Sequence, residues 1–135
     1  MKEVCGGGIV YLNEGNKRLF LLIKSSKTGW WVFPKGHKLD NEILKETSVR
    51  EIKEETGMKN LEMNEVYHEI INFVSNKGKE KEVHHFLFES FEKKVTLSNE
   101  HNDYKWLEFG DAYNLIDHEN QKRLLKKANN LLENG

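Results

Sequence analysis

The stretch "GHKLDNEILKETSVREIKEETGM", residues 36–58, places many acidic side chains on a segment with a strong helix pattern. Residues 43–56 are rich in helix formers and carry apolar or small residues at helical spacing. Glu51, Glu54 and Glu55 stand at positions i, i+3 and i+4, so their side chains crowd one face within a single turn. Because like charges at this spacing repel, the segment needs an explanation beyond helix propensity.

Two explanations remain open from the residues alone. The glutamates can form a solvated acidic face, partly relieved by Arg50 and Lys53. Alternatively they can hold divalent cations, because carboxylate oxygens are the ligands that hard cations such as Mg²⁺ prefer. The second explanation predicts a metal site at the helix.

The segment before the acidic stretch contains the only proline of the chain, Pro34, in "GWWVFPKG" at residues 29–36. Proline fixes φ and lacks a backbone donor, so it suits the end of a strand. Gly36 can expose its own backbone groups to a ligand. The pattern predicts a short strand over 30–33 that stops at Pro34 and is followed by a tightly specified loop.

Composition restricts the class of protein. The chain has 135 residues, which predicts a single domain over 1–135, and its 21 basic and 22 acidic residues give a net charge of −1. This balance disfavours a stable nucleic-acid partner, which would require a basic surface. The single cysteine, Cys5, indicates a reducing compartment. No run is long enough to span a bilayer and no signal peptide is recognisable, so we expect a cytoplasmic protein without a membrane partner.

Hydrophobic periodicity predicts mostly strands with one helix inside the chain and one at its end. Strand patterns cover residues 4–12, 17–24, 30–33, 61–74, 81–91 and 103–109. Helix patterns cover 43–56, with Gly57 as the C-cap, and 119–132. This order predicts an α/β (α+β) fold, an α/β/α sandwich around a mixed sheet.

The spacing of the acidic stretch matches a known family pattern, G-x5-E-x7-R-E-U-x-E-E-x-G-U, in which U is apolar. The matching positions are Gly36, Glu42, Arg50, Glu51, Ile52, Glu54, Glu55, Gly57 and Met58. The chain therefore resembles the Nudix hydrolases, which cleave nucleoside diphosphates linked to another group. The resemblance implies an α/β/α sandwich in which this segment forms a loop–helix–loop.

The resemblance also implies roles for these residues. Glu51, Glu54 and Glu55 would hold Mg²⁺ or Mn²⁺, and the carbonyl of Gly36 would add a ligand. Arg50 would orient the carboxylates through a fork-shaped ion pair, a task for which lysine is a poor substitute. Glu42 would support the loop by hydrogen bonding.

The flanking segments "WVFPKGH" (31–37) and "LSNEHNDYKWLEF" (97–109) resemble those of the asymmetric dinucleoside tetraphosphate hydrolases. There the segments read W-x-x-P-K-G-H and S-x-E-H-x-x-Y-x-W-L. This resemblance implies that Lys35 contacts the polyphosphate and that Tyr104 stacks on a nucleobase. Glu100 would be a further metal ligand or a general base.

One position departs from that subfamily. In "EVHHFLF" the position usually held by tyrosine is His85, whose imidazole would form a second stacking wall opposite Tyr104. Lys79 and Lys81, beside this strand, would reach outer phosphates. As loop lysines they can also serve solubility alone.

The expected reaction is therefore metal-dependent hydrolysis of a dinucleoside tetraphosphate to a nucleoside triphosphate and a monophosphate, by a monomer acting on a small nucleotide. Within the family the alternatives are RNA 5′-pyrophosphohydrolysis, sanitation of oxidised nucleotides and hydrolysis of diphosphoinositol phosphates. An inactive nucleotide-sensing domain is the alternative from another class. We call the family pattern over residues 36–58 the box. All of its glutamates are present, which disfavours an inactive domain.

Overall fold

The strands and helices follow one another along the chain in a mixed order. The computed structural model describes residues 2–134. Within them lie β1 (Lys2–Glu14), β2 (Lys17–Ser25), β3 (Trp31–Val32), β4 (Lys35–His37), α1 (Leu44–Thr56), β5 (Leu61–Val74), β6 (Glu80–Ser90), β7 (His101–Leu107), α2 (Phe109–Leu115) and α3 (Glu119–Asn134).

The strands form one mixed sheet in the order β3-β2-β1-β6-β5, with β4 also paired to β1 and β7 to β2. β1 runs parallel to β6, from the pair Lys2–Glu80 to the pair Tyr11–Glu89, and the other pairs are antiparallel. β1 therefore occupies the centre of the sheet, and its residues are buried continuously from Cys5 to Leu12. A strand covered on both faces reads as an apolar run, as β1 does.

Two apolar layers cover the faces of the sheet. On one face Ile52 of α1 packs with Leu21, Phe86 and Phe88. The residues that fill the other layer come from the sheet and from α2 and α3, and include Ile9, Phe20, Leu22, Leu87, Ala112, Leu124, Leu125 and Ala128. The predicted α/β/α sandwich around a mixed sheet is confirmed.

α1 ends where the sequence predicts. Gly57 adopts a left-handed backbone with φ of 70°, and its N–H donates to the carbonyl oxygen of Lys53 at 2.8 Å. The helix lies close to β1 because glycines face it. A Cβ at Gly8 would stand 2.7 Å from the ring of Phe88 and 3.0 Å from Ile52. The glycine-rich start of β1 thus brings the acidic helix onto the sheet.

Two elements differ from the sequence prediction. The chain does not enter a loop at Pro34, because Lys35–His37 pairs with β1 through Cys5, Gly6 and Gly7. Pro34 lies in the short connection between β3 and β4, where its carbonyl oxygen accepts from the N–H of Gly8 at 3.1 Å. The second difference is α2, which begins within the predicted strand 103–109.

β5 lies at the edge of the sheet and contains an irregularity. Its register on β6 shifts between Asn64 and His68, where two stretches of regular antiparallel pairing meet. Across residues 2–134, no helix has the length and apolar character needed to cross a membrane.

Candidate active site

Arg50 lies at the centre of the charged cluster on α1. Its Nε and Nη2 donate to the two carboxylate oxygens of Glu42 at 2.6 and 3.0 Å. Its Nη1 donates to Glu51 at 3.0 Å and to Glu54 at 2.8 Å. Nη2 also reaches the carbonyl oxygen of His37 at 2.9 Å. One planar guanidinium thus fixes three carboxylates and the strand that precedes the loop.

Glu42 closes the loop in front of α1. Its Oε1 accepts from the backbone N–H of Leu39 and from the hydroxyl of Thr47, both at 2.9 Å. The hydrogen bonds from Arg50, with those from Leu39 and Thr47, lower the pKa of Glu42 to about 2. This carboxylate is therefore ionised and fully partnered at neutral pH.

Gly36 and Glu51 lie in direct contact. A Cβ added at Gly36 would overlap the carboxylate of Glu51, so any side chain at this position of β4 would displace that carboxylate. Burial, followed by the charge of Glu54, raises the pKa of Glu51 despite its contact with Arg50. The carboxylate of Glu51 thus lies directly against the backbone of β4 at Gly36.

Glu55 is the most buried of the three box glutamates, with 4 % of its surface exposed. Its Oε1 accepts from the backbone N–H of Lys35 at 3.2 Å. Burial and the charge of Glu51 raise the pKa of Glu55 to about 8, whereas the ammonium of Lys35 acts in the opposite direction. The ionised form of Glu55 is therefore disfavoured at neutral pH unless a cation lies beside it.

Glu100, in the turn before β7, and His101, the first residue of β7, face the same end of α1. The charge of Glu100 raises the pKa of both Glu51 and Glu55, which places it near these carboxylates. The Nε2 of His101 lies 3.9 Å from Oε1 of Glu55, and its side chain is largely buried. Sequence reasoning did not assign a role to His101, although it belongs to the S-x-E-H segment.

The two predicted phosphate-binding lysines of the β5–β6 hairpin contact a surface carboxylate instead. Lys79 and Lys81 each place Nζ 3.6 Å from an oxygen of Glu3, which also contacts His37 at 3.1 Å. Lys81 is the better covered of the two and its charge reaches Cys5, which pairs with His37 in β4. Lys81 therefore lies beside the start of the loop, and Lys79 remains at the exposed hairpin.

The structure does not bring His85 and Tyr104 together as walls of one pocket. His85 is 2 % exposed and lies on the same face of β6 as Leu87, which packs in the layer with α3. Burial lowers the pKa of His85 to about 3. Tyr104 is 38 % exposed and pairs with Ile23, whose side chain lies in the layer beneath α1. Directly paired residues share a face, so the two rings project from opposite sides of the sheet.

The chain belongs to the Nudix family. The NUDIX domain family model matches residues 6–128, which contain the whole acidic cluster. The chain is a Nudix hydrolase, and the family generally uses divalent metal ions.

Among its relatives, the chain is 34 % identical over 125 residues to a bis(5′-nucleosyl)-tetraphosphatase [asymmetrical] of Caenorhabditis elegans, covering 90 % of each chain. It is 35 % identical over 118 residues to the rat protein of the same name, covering 84 % of this chain and 80 % of that one. Its fold matches a crystal structure of a C. elegans Ap4A hydrolase binary complex with a TM-score of 0.93 and 31 % identity. That match covers 98 % of this chain and 99 % of the other.

The box residues fit a divalent cation in their chemistry. Burial, with the charges of neighbouring carboxylates, raises the pKa of Glu51 and of Glu55, so a cation beside them would favour their ionised form. The adjacent Gly36 leaves no side chain between backbone and carboxylate. Within residues 2–134, no three His, Cys, Asp or Glu side chains already converge tightly enough to hold an ion. Glu54 is turned towards Arg50, so it would rotate to join its neighbours.

Proposed function

We propose that this chain hydrolyses dinucleoside tetraphosphates asymmetrically, converting diadenosine tetraphosphate and water to ATP and AMP, with Mg²⁺ or Mn²⁺. The observation that carries the proposal is the similarity to tetraphosphatases over nearly the whole chain, including the segments around Lys35 and Tyr104. Similarity restricted to the box would support only the family.

The geometry of the box supports hydrolysis at a phosphate. Glu51, Glu54 and Glu55 would hold Mg²⁺, which when bound would supply activation of water and neutralisation of phosphate charge. Arg50 holds the carboxylate of Glu51, and the N–H of Lys35 fixes one oxygen of Glu55, whereas Glu54 would first leave Arg50. Positioned carboxylates of this kind reduce the reorganisation needed on the way to the transition state.

Charge and stacking groups around the box suit a nucleotide with a long phosphate chain. The ammonium of Lys35 lies close enough to Glu55 to lower its pKa, so it would meet phosphate oxygens at the same end of α1. Tyr104, exposed on the face that carries α1, would stack on a base. His85 is not part of the proposed base-binding site, because its ring is buried.

Compartment and assembly are part of the proposal. We infer a cytoplasmic enzyme, since Cys5 is buried within β1 as a free thiol, as expected in a reducing compartment. The monomer expected from the sequence stays a prediction.

The decisive experiment is hydrolysis of diadenosine tetraphosphate in ¹⁸O-labelled water. We expect ATP and AMP, with the label only in AMP, because a phosphorus off the centre of the chain would lie next to the attacking water. Two molecules of ADP would contradict asymmetric cleavage. Absence of cleavage together with rapid pyrophosphate release from RNA 5′ ends would reassign the chain within the family. The Glu54→Gln variant controls for contaminating hydrolases.

A further inference from the structure

A chain of hydrogen bonds links two histidines and a glutamate on β5 and β6, separated from Gly36 of the box by the central strand β1. The Nε2 of His84 lies 2.6 Å from Oε2 of Glu82, and the Nδ1 of His84 lies 2.7 Å from Nε2 of His68. We call His68, His84 and Glu82 the two-histidine cluster. It lies on β5 and β6, and neither the box nor the proposed substrate contacts use it.

The proton positions in the cluster follow from the carboxylate. The hydrogen bond to His84 lowers the pKa of Glu82, so this group is ionised and only accepts. The Nε2 of His84 therefore carries a proton, and in the neutral ring its Nδ1 holds a free lone pair. That lone pair accepts from Nε2–H of His68. Two imidazole nitrogens thus face each other across a gap that one proton fills.

We propose that this gap is a second metal site, which takes a divalent transition-metal ion that prefers imidazole, such as Cu²⁺, Ni²⁺ or Zn²⁺. The ligands are Nδ1 of His84 and Nε2 of His68. When both rings are neutral, the Nε2 proton of His68 is lost to solvent and its Nδ1 takes one up, so no net proton is released. Water completes the coordination.

The surroundings of His84 match those of a metal-binding histidine. Metal-bound imidazole usually donates its other N–H to a carboxylate, which fixes the ring and raises its basicity. Glu82 occupies that position here, because it bonds the nitrogen of His84 that faces away from His68. His84 is 7 % exposed and lies beside Gly6 of β1, so its ring has little freedom to turn.

His68 gives the ion access from solvent. Its ring stacks on Phe86 with centroids 4.6 Å apart, which fixes its plane, while the residue itself is exposed. Partial burial and the His84 ring lower the pKa of His68, which favours the neutral ligating form. Two Zn–N bonds at tetrahedral geometry need nitrogens about 3.3 Å apart, so the exposed ring must move by only about 0.6 Å.

The charge balance near the cluster permits binding. Lys45 of α1 is the cation whose charge reaches His68, and it is paired with Glu65 at 3.3 Å. Glu82 is likewise paired with Lys2 at 3.4 Å and Glu69 with Lys127 at 3.0 Å, so the charges around the cluster are largely balanced. The site differs in ligand type from the box, where carboxylate oxygens suit Mg²⁺.

The test titrates Cu²⁺ into the tag-free protein in excess Mg²⁺, which occupies the carboxylates, and records the electron paramagnetic resonance spectrum. We expect one tight equivalent with nitrogen coupling from two imidazoles. His68→Gln should weaken binding by about tenfold or more and leave one coupled nitrogen, and Glu82→Gln should weaken it by about tenfold. His118→Gln, at a histidine distant in the chain, is the matched control and should change nothing.

Unchanged affinity in His68→Gln would overturn the proposal, as would loss of Cu²⁺ binding in Glu54→Gln, since the ion would then occupy the box. His84→Gln is less informative because that ring is nearly buried, so its folding must be checked by circular dichroism. A rise in melting temperature with Zn²⁺, present in His118→Gln and absent in His68→Gln, would support the site independently.

Discussion

Glu42 and Glu55 belong to one acidic segment and lie at opposite ends of α1. The two carboxylates differ in their hydrogen-bond partners and in the direction of their pKa shifts. At the loop end, Glu42 accepts from Arg50, Leu39 and Thr47, and its pKa falls to about 2. At the C-terminal end, which we call the cleft end, Glu55 accepts one backbone N–H and its pKa rises to about 8. The first end is electrostatically complete within the chain, whereas the second would be completed by a cation from outside.

The largest expected effect is on turnover at the cleft end. Glu54→Gln and Glu55→Gln should each lower kcat by at least about a hundredfold, because each removes an oxygen charge at the proposed reacting centre. Both should leave the fold intact, since each also removes like-charge repulsion on the helix. Near-normal turnover at saturating Mg²⁺ in either variant would remove that carboxylate from the proposed site.

Arg50→Lys tests the connection between the two ends. Lysine keeps the charge but cannot bond both oxygens of Glu42 while also reaching Glu51 and Glu54. We expect turnover to fall by about tenfold or more through misplaced carboxylates, together with a lower melting temperature. Equal loss in Arg50→Lys and Arg50→Ala would confirm that geometry matters; full activity of the lysine variant would mean that charge alone suffices.

The opposite pKa shifts predict opposite effects of pH on stability without divalent ions. Because the pKa of Glu55 is raised, the native protein binds more protons than the unfolded chain between about pH 4.5 and 8, and stability falls as pH rises through that range. Because the pKa of Glu42 is lowered, its contribution is present above pH 4.5 and is lost as pH falls towards about 2.

Matched variants separate these two effects. Glu55→Gln should reduce the fall in the urea midpoint between pH 5 and 8, and added Mg²⁺ should do the same for the unchanged protein. Glu42→Gln should instead destabilise most at neutral pH and least near pH 2. If both variants gave the same pH profile as the parent, the contrast between the two ends would not hold.

The smallest effect is expected at the loop end. Thr47→Val deletes the hydroxyl that donates to Glu42 and keeps the shape of a fully buried side chain. It should lower the free energy of unfolding by about 1.5–3 kcal/mol, the usual contribution of a hydrogen bond to a charged group. Turnover should change little, and a strong loss of turnover would show that the loop end participates in catalysis.

The sequence predicted those elements whose formation depends on residues close together in the chain. The end of α1 at Gly57 and the apolar stripe of α3 follow from helix rules. β4 escaped prediction because three residues after a proline have no periodicity, and their pairing with Cys5–Gly7 is a long-range contact. α2 did carry a signal, with Phe109, Ala112, Tyr113 and Ile116 at helical spacing, but Gly110 obscured it.

The same division applies to the candidate site. The grouping of Glu51, Glu54 and Glu55 follows from helical spacing, and so does the reach of Arg50 to Glu54. Alternation on β6 placed His85 on the face of Leu87, but the sequence does not show how deeply that face is covered. The approach of His101 to Glu55 depends on β7 packing beside β2, which no local pattern encodes.

The parallel pairing of β1 with β6 has a consequence for the order of assembly. During synthesis β1 leaves the ribosome before its neighbour β6, which emerges only after the acidic helix and β5. Contacts so distant along the chain close slowly and late. We therefore expect α1 to lack a stable sheet to pack against in a nascent chain that stops before Glu80. Hydrolysis then begins only once the second half of the protein is made.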